Sequence, residues 1–210
     1  MSIIPMILTP PHATVVLRVE NFDPNGQAIL IRNFDDTQDS RPDGDGNVCY
    51  DLRVGSQYRD HREEGGRSLR EGETIDLLPN LALIIQTLEE VQFPRLIFGQ
   101  IVPKVTLLQQ RVASTPTKVD LGYNGRLLVT VFNHGKRAAP LQYGQKFCAM
   151  FLLSVDDRVV PYNKPSQQIS GVGRRKLVHR VRDFMERNIA LITSALFVTQ
   201  IIYLLVDVFG

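Results

Sequence analysis

Short apolar runs, each ended by proline, glycine or asparagine, fill the middle of this chain and limit the architectures open to it. They occupy residues 74–78, 81–87, 96–102, 127–132 and 147–153. Runs of this length with turn residues between them are typical of β-strands. No long amphipathic helical pattern interrupts them, so the sequence predicts an all-β barrel or sandwich.

The first half of the chain extends the same pattern. Alternating apolar residues over 14–19, turn residues at 23–26 and an apolar run at 28–31 predict a hairpin. Residues 48–54 predict a further strand, and residues 107–112 suit either a short helix or a strand.

Composition limits the domain count and the kind of partner. A chain of 210 residues with 43% hydrophobic residues has room for one well-buried domain and an appendage. Its net charge of +2 provides no general attraction to nucleic acid, so a DNA or RNA duplex is not an expected partner. The only cysteines are Cys49 and Cys148, and no secretory signal pattern opens the sequence. Both features favour a reducing, cytoplasmic environment for the folded part.

The C-terminal end contains a long uncharged run. Residues 189–208 carry no charge before Asp207, which is the length that a helix needs to cross a bilayer. We therefore expect a β domain over residues 1–173, a basic amphipathic segment over 174–188 and a single transmembrane helix over 189–210. The alternative is a C-terminal helix that packs on the domain or in an oligomer interface.

Two further features of this end bear on membrane binding. The cations of the preceding segment predict contact with anionic lipid and a cytoplasmic domain; they include Arg174, Arg175, Lys176 and Arg180. Polar residues recur every seven positions, which in a bundle of helices would form one inward stripe. They are Glu186, Thr193, Gln200 and Asp207, and chance placement of mildly polar residues is the alternative explanation.

Several motifs in the β region resemble those of one enzyme superfamily. Residues 119–133 read VDLGYNGRLLVTVFN, with an acid and an aromatic residue around a tight turn and an asparagine at the strand end. With residues 50–55, 141–147 and 160–168, this stretch resembles the trimeric dUTPase and dCTP deaminase superfamily over roughly residues 45–173. The resemblance implies a distorted jelly-roll or β-barrel and a homotrimer whose active sites form between subunits.

The same resemblance implies roles for individual residues. Asp120 would orient or deprotonate an attacking water, and Tyr123 would offer a flat face to a deoxyribose or base. Asp51 would help to hold a hydrated Mg²⁺ that bridges nucleotide phosphates. The remaining nucleotide-binding residues are expected to be Lys104, Thr106, Gln109, Tyr162, Lys164 and Gln168. Without the flanking motifs, Asp120 would be read as a turn residue that caps its own backbone and Tyr123 as a half-buried strand aromatic.

Two departures from the family pattern bear on activity. Where the family carries an Arg-Ser-Ser or Arg-Ser-Gly phosphate grip, this chain has Lys104, Val105 and Thr106. Where deaminases have a proton-shuttling glutamate, it has Thr130, which cannot carry a proton at neutral pH. We therefore expect a membrane-tethered nucleotide sensor without deaminase activity, acting as a membrane-disrupting defence effector. The alternatives are a membrane-anchored, Mg²⁺-dependent dUTP diphosphatase and a scaffold that binds a protein partner.

Overall fold

The computed structural model of the chain comprises two compact units, residues 1–173 and 174–210. It describes residues 22–26, 28–38, 49–63, 65–155 and 160–169, and the strand backbone at 6–7 and 14–16. In the second unit it describes residues 185, 188–189, 193–194 and 196–200.

The first unit is built almost entirely of strands. They are β1 (Met6–Ile7), β2 (Thr14–Val16), β3 (Ala28–Arg32), β4 (Cys49–Asp60), β5 (Arg67–Ser68), β6 (Thr74–Leu77), β7 (Ala82–Gln92), β8 (Ile97–Pro103), β9 (Val112–Ser114), β10 (Thr117–Val119), β11 (Asn124–Asn133), β12 (Ala139–Gln142) and β13 (Lys146–Ser154). A single helical turn and a half, α1 (Val105–Gln109), follows β8, and a 3₁₀ turn covers Asp36–Gln38.

Eleven of these strands form one curled sheet. Its central path runs β10-β8-β13-β4-β7-β11-β9, and β12 pairs with β6 in a separate ribbon. The long strands β4, β7 and β11 are neighbours, with Val54 opposite Thr87 and Val129 opposite Ile85. Strand β11 therefore has one long partner, β7, and a short partner, β9, and its first residues extend past the end of β9.

The alternation of buried and half-buried residues explains the length of the central strands. In β4 the buried positions Tyr50, Leu52 and Val54 alternate with half-buried ones, and Tyr58 continues the set beyond residue 54. Apolar side chains on one face of the sheet create a core, and its fully buried members include Phe93 and Phe147. The all-β prediction is confirmed, and the strand expected at 48–54 is longer because its apolar alternation continues.

The hairpin predicted over residues 14–31 is wrong. The turn itself is present, since Gly26 N donates to Asp23 O over 3.0 Å. However, β2 and β3 pair in parallel, with Thr14 opposite Ala28, so the connection crosses over instead of folding back. The undecided run at 107–112 divides between the end of α1 and the start of β9.

A buried ion pair joins β4 to β7. The Glu89 side chain is 0% exposed, and it accepts hydrogen bonds from Arg53 N over 2.9 Å and from Arg53 Nε over 2.6 Å. Burial raises the pKa of the Glu89 carboxyl, and the hydrogen bonds from Arg53 oppose that rise without cancelling it. These contacts lie next to the Val54–Thr87 pair, and the β4–β7 register shifts between Val54 and Tyr58.

The same irregularity requires glycine at position 55. A Cβ atom built there would lie 2.5 Å from Gln86 O and 2.6 Å from Thr87 O, both of them backbone atoms of β7. Backbone in a paired strand cannot yield as a flexible side chain can. We therefore expect Gly55→Ala to lower the free energy of unfolding by about 2–3 kcal/mol, measured by urea denaturation.

Gly72→Ala is the matched control. Gly72 has φ +80° but no atom within 4 Å of an added Cβ, so only backbone strain opposes the substitution. That strain costs about 1 kcal/mol. Equal losses for the two variants would contradict the close approach of β4 and β7 at Gly55.

Candidate functional site

The turn between β10 and β11 is a tight loop stabilised by its own backbone. Tyr123 N donates to Asp120 O over 3.1 Å, and Gly122 N donates to Pro94 O over 3.1 Å. Gly122 and Gly125 have φ values of +74° and +144°, which side-chain-bearing residues rarely adopt. The glycines therefore allow this turn to close and present a flat outer surface.

The C-terminal part of the β unit lies on that surface. This tail segment, residues 160–169, is attached by a 2.6 Å hydrogen bond from Tyr162 N to Leu121 O. A Cβ at Gly122 would lie 3.1 Å from Pro161 Cβ, and one at Gly125 would lie 2.5 Å from Ser166 Cβ. The absence of side chains at both glycines is what lets the tail segment seat.

Between the turn and the tail segment is a cavity of about 240 Å³, which we call the hairpin cavity. Tyr123 and Tyr162 enclose it with ring centroids 5.8 Å apart and planes inclined by 45°. Its lining comprises Ile101, Thr117, Lys118, Val119, Asp120, Tyr123, Leu127, Leu128, Tyr162 and Gln167. The cavity thus combines an apolar floor, two aromatic rings and charged groups.

The charged groups of the hairpin cavity are accessible to solvent. Asp120 Oδ1 lies 2.7 Å from Lys118 Nζ, and the two side chains are 41% and 73% exposed. Tyr123 is half-buried against the core, and burial, with a smaller contribution from the nearby Tyr162, raises its pKa to about 12. Its hydroxyl therefore stays protonated at neutral pH and donates to Arg126 O over 2.6 Å.

Three comparisons identify the kind of protein that carries this turn. Residues 25–155 match the family model described as dCTP deaminase-like. The chain belongs to the dCTP deaminase-like family. It is 25% identical to the dCTP deaminase of Thermococcus kodakarensis over 134 residues, which cover 61% of this chain and 77% of the relative.

Relatives named for the other activity of the superfamily also match. The deoxyuridine 5′-triphosphate nucleotidohydrolase of Gloeothece citriformis is 30% identical over 98 residues, covering 45% of this chain and 68% of the relative. Among solved structures, the Agrobacterium tumefaciens dCTP deaminase aligns with a TM-score of 0.45 and 15% identity, over 50% of this chain and 39% of that one.

The single chain brings the predicted catalytic residue Asp120 together with the predicted nucleotide-binding residues Tyr123 and Tyr162 at the hairpin cavity. The Asp120 side chain forms an ion pair with Lys118. Its backbone carbonyl accepts the hydrogen bond from Tyr123 N that closes the turn. Tyr123 is half-buried against the core, as the alternative interpretation predicted, and it also lines the cavity. Lys164 is exposed in the tail segment outside the cavity lining, and Gln168 lines a second cavity instead.

The predicted phosphate-binding segment lies at α1, away from the hairpin cavity. Lys104 directly precedes the helix, and Thr106 and Gln109 are exposed on it. Lys104 Nζ lies 2.5 Å from Asp51 Oδ2, so its charge is already paired within the chain. The helix presents apolar surface, since Val105 is 67% and Leu108 44% exposed. In this chain α1 therefore offers no unpaired cation for a phosphate.

This ion pair also bears on whether Asp51 could be a metal ligand. Mg²⁺ prefers several oxygen ligands, whereas Asp51 has an ammonium group in direct contact. Across the described residues, no group of three or more His, Cys, Asp or Glu side chains could hold a metal ion. The environment of Asp51 does not fit a magnesium site, and a Mg²⁺ bound with nucleotide phosphates stays a prediction.

The position expected to hold a deaminase glutamate, Thr130, lies on strand β11. Thr130 and Leu128 are half-buried positions of β11 that alternate with buried Val129 and Val131, so they share a face. Leu128 lines the hairpin cavity, and Thr130 lies two residues further along the same face. A hydroxyl therefore stands on the face where a carboxylate was expected in an active deaminase.

Sequence reasoning missed several lining residues, including Lys118, Leu128 and Gln167. Leu128 was predictable from strand alternation, because it lies two residues from Thr130 on β11, and Lys118 lies in β10 two residues before Asp120. Gln167 had no such signal, since its position depends on how the tail segment folds back.

The predicted membrane-binding residues lie mostly outside the described residues: Arg174, Arg175, Lys176, Arg180 and Asp207. Thr193 and Gln200 are described and helical, and Thr193 Oγ1 donates to Ile189 O over 2.8 Å. Among the described residues, no helix is both long and apolar enough to cross a membrane. The transmembrane prediction falls largely on residues outside this set.

The glycine at position 125 provides a test of the tail seating. We expect Gly125→Ala to displace the tail segment, because an added Cβ would overlap Ser166. Amide hydrogen exchange at residues 160–169 should accelerate about tenfold or more, with the largest change at the Tyr162 amide.

Gly144→Ala is the control for backbone strain alone. Gly144 has φ +76° and no atom within 4 Å of an added Cβ. Exchange in the tail segment should be unchanged in this variant. If Gly125→Ala also left tail exchange unchanged, the tail would not depend on the glycine surface.

Proposed function

We propose that this chain is a membrane-tethered nucleotide receptor of the dCTP deaminase-like family in which deaminase chemistry is lost. The observation that carries the proposal is the hairpin cavity, in which Asp120 and two tyrosines line a pocket beneath the tail segment. Family membership and nucleotide-metabolising relatives support a nucleotide ligand.

The size of the hairpin cavity favours recognition of the base and sugar. Its volume of about 240 Å³ is below the roughly 300–1,000 Å³ of typical small-molecule pockets. Tyr123 and Tyr162 supply flat faces, and Lys118 supplies a cation at the rim. We infer that a neighbouring copy completes the site around the phosphates, in the homotrimer that the family resemblance implies.

The loss of chemistry is argued from two positions. Thr130 has no carboxylate to move a proton at neutral pH. Lys104 is already ion-paired with Asp51. The adjacent helix exposes the apolar side chains of Val105 and Leu108, where phosphate binding would need hydrogen-bond donors. Both changes weaken turnover more than they weaken recognition of a base and sugar at the turn.

One observation favours hydrolysis of dUTP as the second candidate function. The Asp120 carboxylate is 41% exposed at the cavity rim, where it could orient a water. Hydrolysis of dUTP would need phosphate-binding groups from elsewhere, because α1 supplies none. A protein-binding scaffold, the third reading, would have no use for the tyrosine-lined cavity.

Exposed apolar side chains support membrane attachment of the second unit. They include Met185, Ile189, Leu196, Phe197 and Val198, each more than half exposed. Apolar side chains without protein partners on a helical segment are typical of lipid or oligomer contact. Nucleotide binding would then act on the membrane by favouring one arrangement of the three second units of a trimer. A defence effector would permeabilise a bilayer in this way.

A thermal-shift titration of the full-length chain tests the nucleotide site. At a hundredfold excess over the dissociation constant, dUTP or dCTP should raise the melting temperature by about 5 °C or more. Tyr123→Ala should abolish this rise because it removes one aromatic wall of the cavity. Tyr143→Ala, another half-buried tyrosine packed on the same core, should keep it. No rise with any deoxynucleotide would reject the receptor and the hydrolase together.

Pyrophosphate release from dUTP, assayed on the same samples, separates the two candidates. The receptor predicts binding with no release. A rate that is lost in Asp120→Asn, and kept in Asp76→Asn on the distant ribbon strand β6, would instead establish the hydrolase.

Membrane attachment is tested by alkaline fractionation. The full-length chain should remain with the membranes after extraction at high pH, because a spanning apolar helix is not released by disrupting ionic contacts. A chain that ends at residue 188 should be released. Recovery of the full-length chain in the aqueous fraction would contradict the tether and leave the nucleotide site unaffected.

A further inference from the structure

A second and larger cavity lies under the same tail segment. It has a volume of about 540 Å³, within the roughly 300–1,000 Å³ of small-molecule sites. We call it the amide cavity because carboxamide side chains dominate its lining; they come from β4, β7, β11 and the tail segment. They are Gln57, Gln86, Asn124, Gln167 and Gln168.

The central carboxamide has no protein partner in the described part of the chain. Gln86 is 6% exposed and lies on the outer face of β7, between half-buried Ile84 and Leu88. Its side chain makes no hydrogen bond to any other described residue, and its amide atoms are not among the fully buried unpaired atoms of the described residues, so they open onto the cavity. An amide that faces the cavity in this way offers a donor and an acceptor to a bound molecule.

The charges around the amide cavity leave one cation available. Glu90 and Arg126 are cross-strand neighbours on β7 and β11. The Glu90 carboxylate is engaged by Arg32 Nη1, so it is already neutralised. Arg126 lines the cavity, and its guanidinium has no ion pair or hydrogen bond within the described part of the chain. A planar guanidinium in this state suits a phosphate or carboxylate, which it binds through two parallel hydrogen bonds.

We infer that the amide cavity binds a nucleoside monophosphate. A carboxamide presents a donor and an acceptor side by side, and this pair matches the edge of a base such as adenine. Gln86 would read the base from the floor of the cavity, and Arg126 would hold the single phosphate. A triphosphate would bring more negative charge than one guanidinium can offset.

The amide cavity is distinct from the hairpin cavity in its residues. The two linings share only Gln167, and the tyrosines that enclose the first do not contribute to the second. Because the tail segment walls both, a ligand in the amide cavity favours the seated tail and thereby the closed hairpin cavity. This role is that of an effector site, independent of any chemistry at Asp120.

Calorimetric titration of the full-length chain with adenosine 5′-monophosphate tests the inference. Arg126→Gln should weaken binding about tenfold or more, because it removes a charge-assisted pair of hydrogen bonds. Gln86→Leu should abolish base selectivity, because it removes the donor and acceptor that read the base, with little change in the melting temperature of the free protein. Gln168→Ala, at an exposed position, should weaken binding without any change in stability.

Two controls assign the binding to this cavity. Arg70→Gln, at an exposed arginine outside the lining, should bind as the unchanged protein does. Adenosine and ribose 5-phosphate, each lacking half of the ligand, should bind at least about tenfold more weakly. The inference is overturned if adenosine 5′-monophosphate gives no heat of binding, or if Arg126→Gln leaves its affinity unchanged.

Discussion

The contact between two glycines and the tail segment supplies the shared wall of the hairpin cavity and the amide cavity. Gly122 and Gly125 present bare backbone to Pro161 and Ser166; an added Cβ would be tight at Gly122, at 3.1 Å, and would overlap Ser166 at Gly125, at 2.5 Å. Without this seating, the start of β11 would be an open strand with polar side chains in water. With it, one segment of ten residues forms a wall of two cavities of different chemistry. The glycine positions thus act on recognition through the backbone, although neither residue contributes a functional group.

The paired charges on the β4 side bear on the proposed separation of recognition from catalysis. Glu89 is buried with Arg53, and Asp51 holds Lys104, so both of these cations are committed to acids of the same domain. Breaking a buried pair leaves an uncompensated charge, which is strongly unfavourable. A phosphate that competed for Arg53 would have to pay that cost, whereas Lys118 at the hairpin cavity is 73% exposed and exchanges its partner readily. In the proposed receptor, an anion at the hairpin cavity would therefore contact Lys118 more readily than Lys104.

Local patterns predicted the parts of the structure that depend on neighbours in sequence. The glycines and aromatic residue of 119–133 were readable because a turn with positive φ angles restricts residue choice directly, and strand alternation located β4, β7 and β11. Contacts between distant residues left no such signal. Lys104 and Asp51 are 53 positions apart, and each was assigned to a ligand before the structure paired them. The parallel pairing of β2 with β3 was missed because a turn at residues 23–26 is equally compatible with a crossover.

The tail segment is also the last described part of the first unit, five residues before the second unit begins at Arg174. Two sites can influence each other only through an element whose equilibrium both ligands bias. Gln167 lines both cavities, so the seated and unseated forms of this segment differ in contacts to each ligand. A base and sugar in the hairpin cavity and a nucleoside monophosphate in the amide cavity would therefore favour the same form. The proposed receptor would need a ligand-dependent element that leads along the chain into its anchor, and the tail segment is the described element that precedes residue 174.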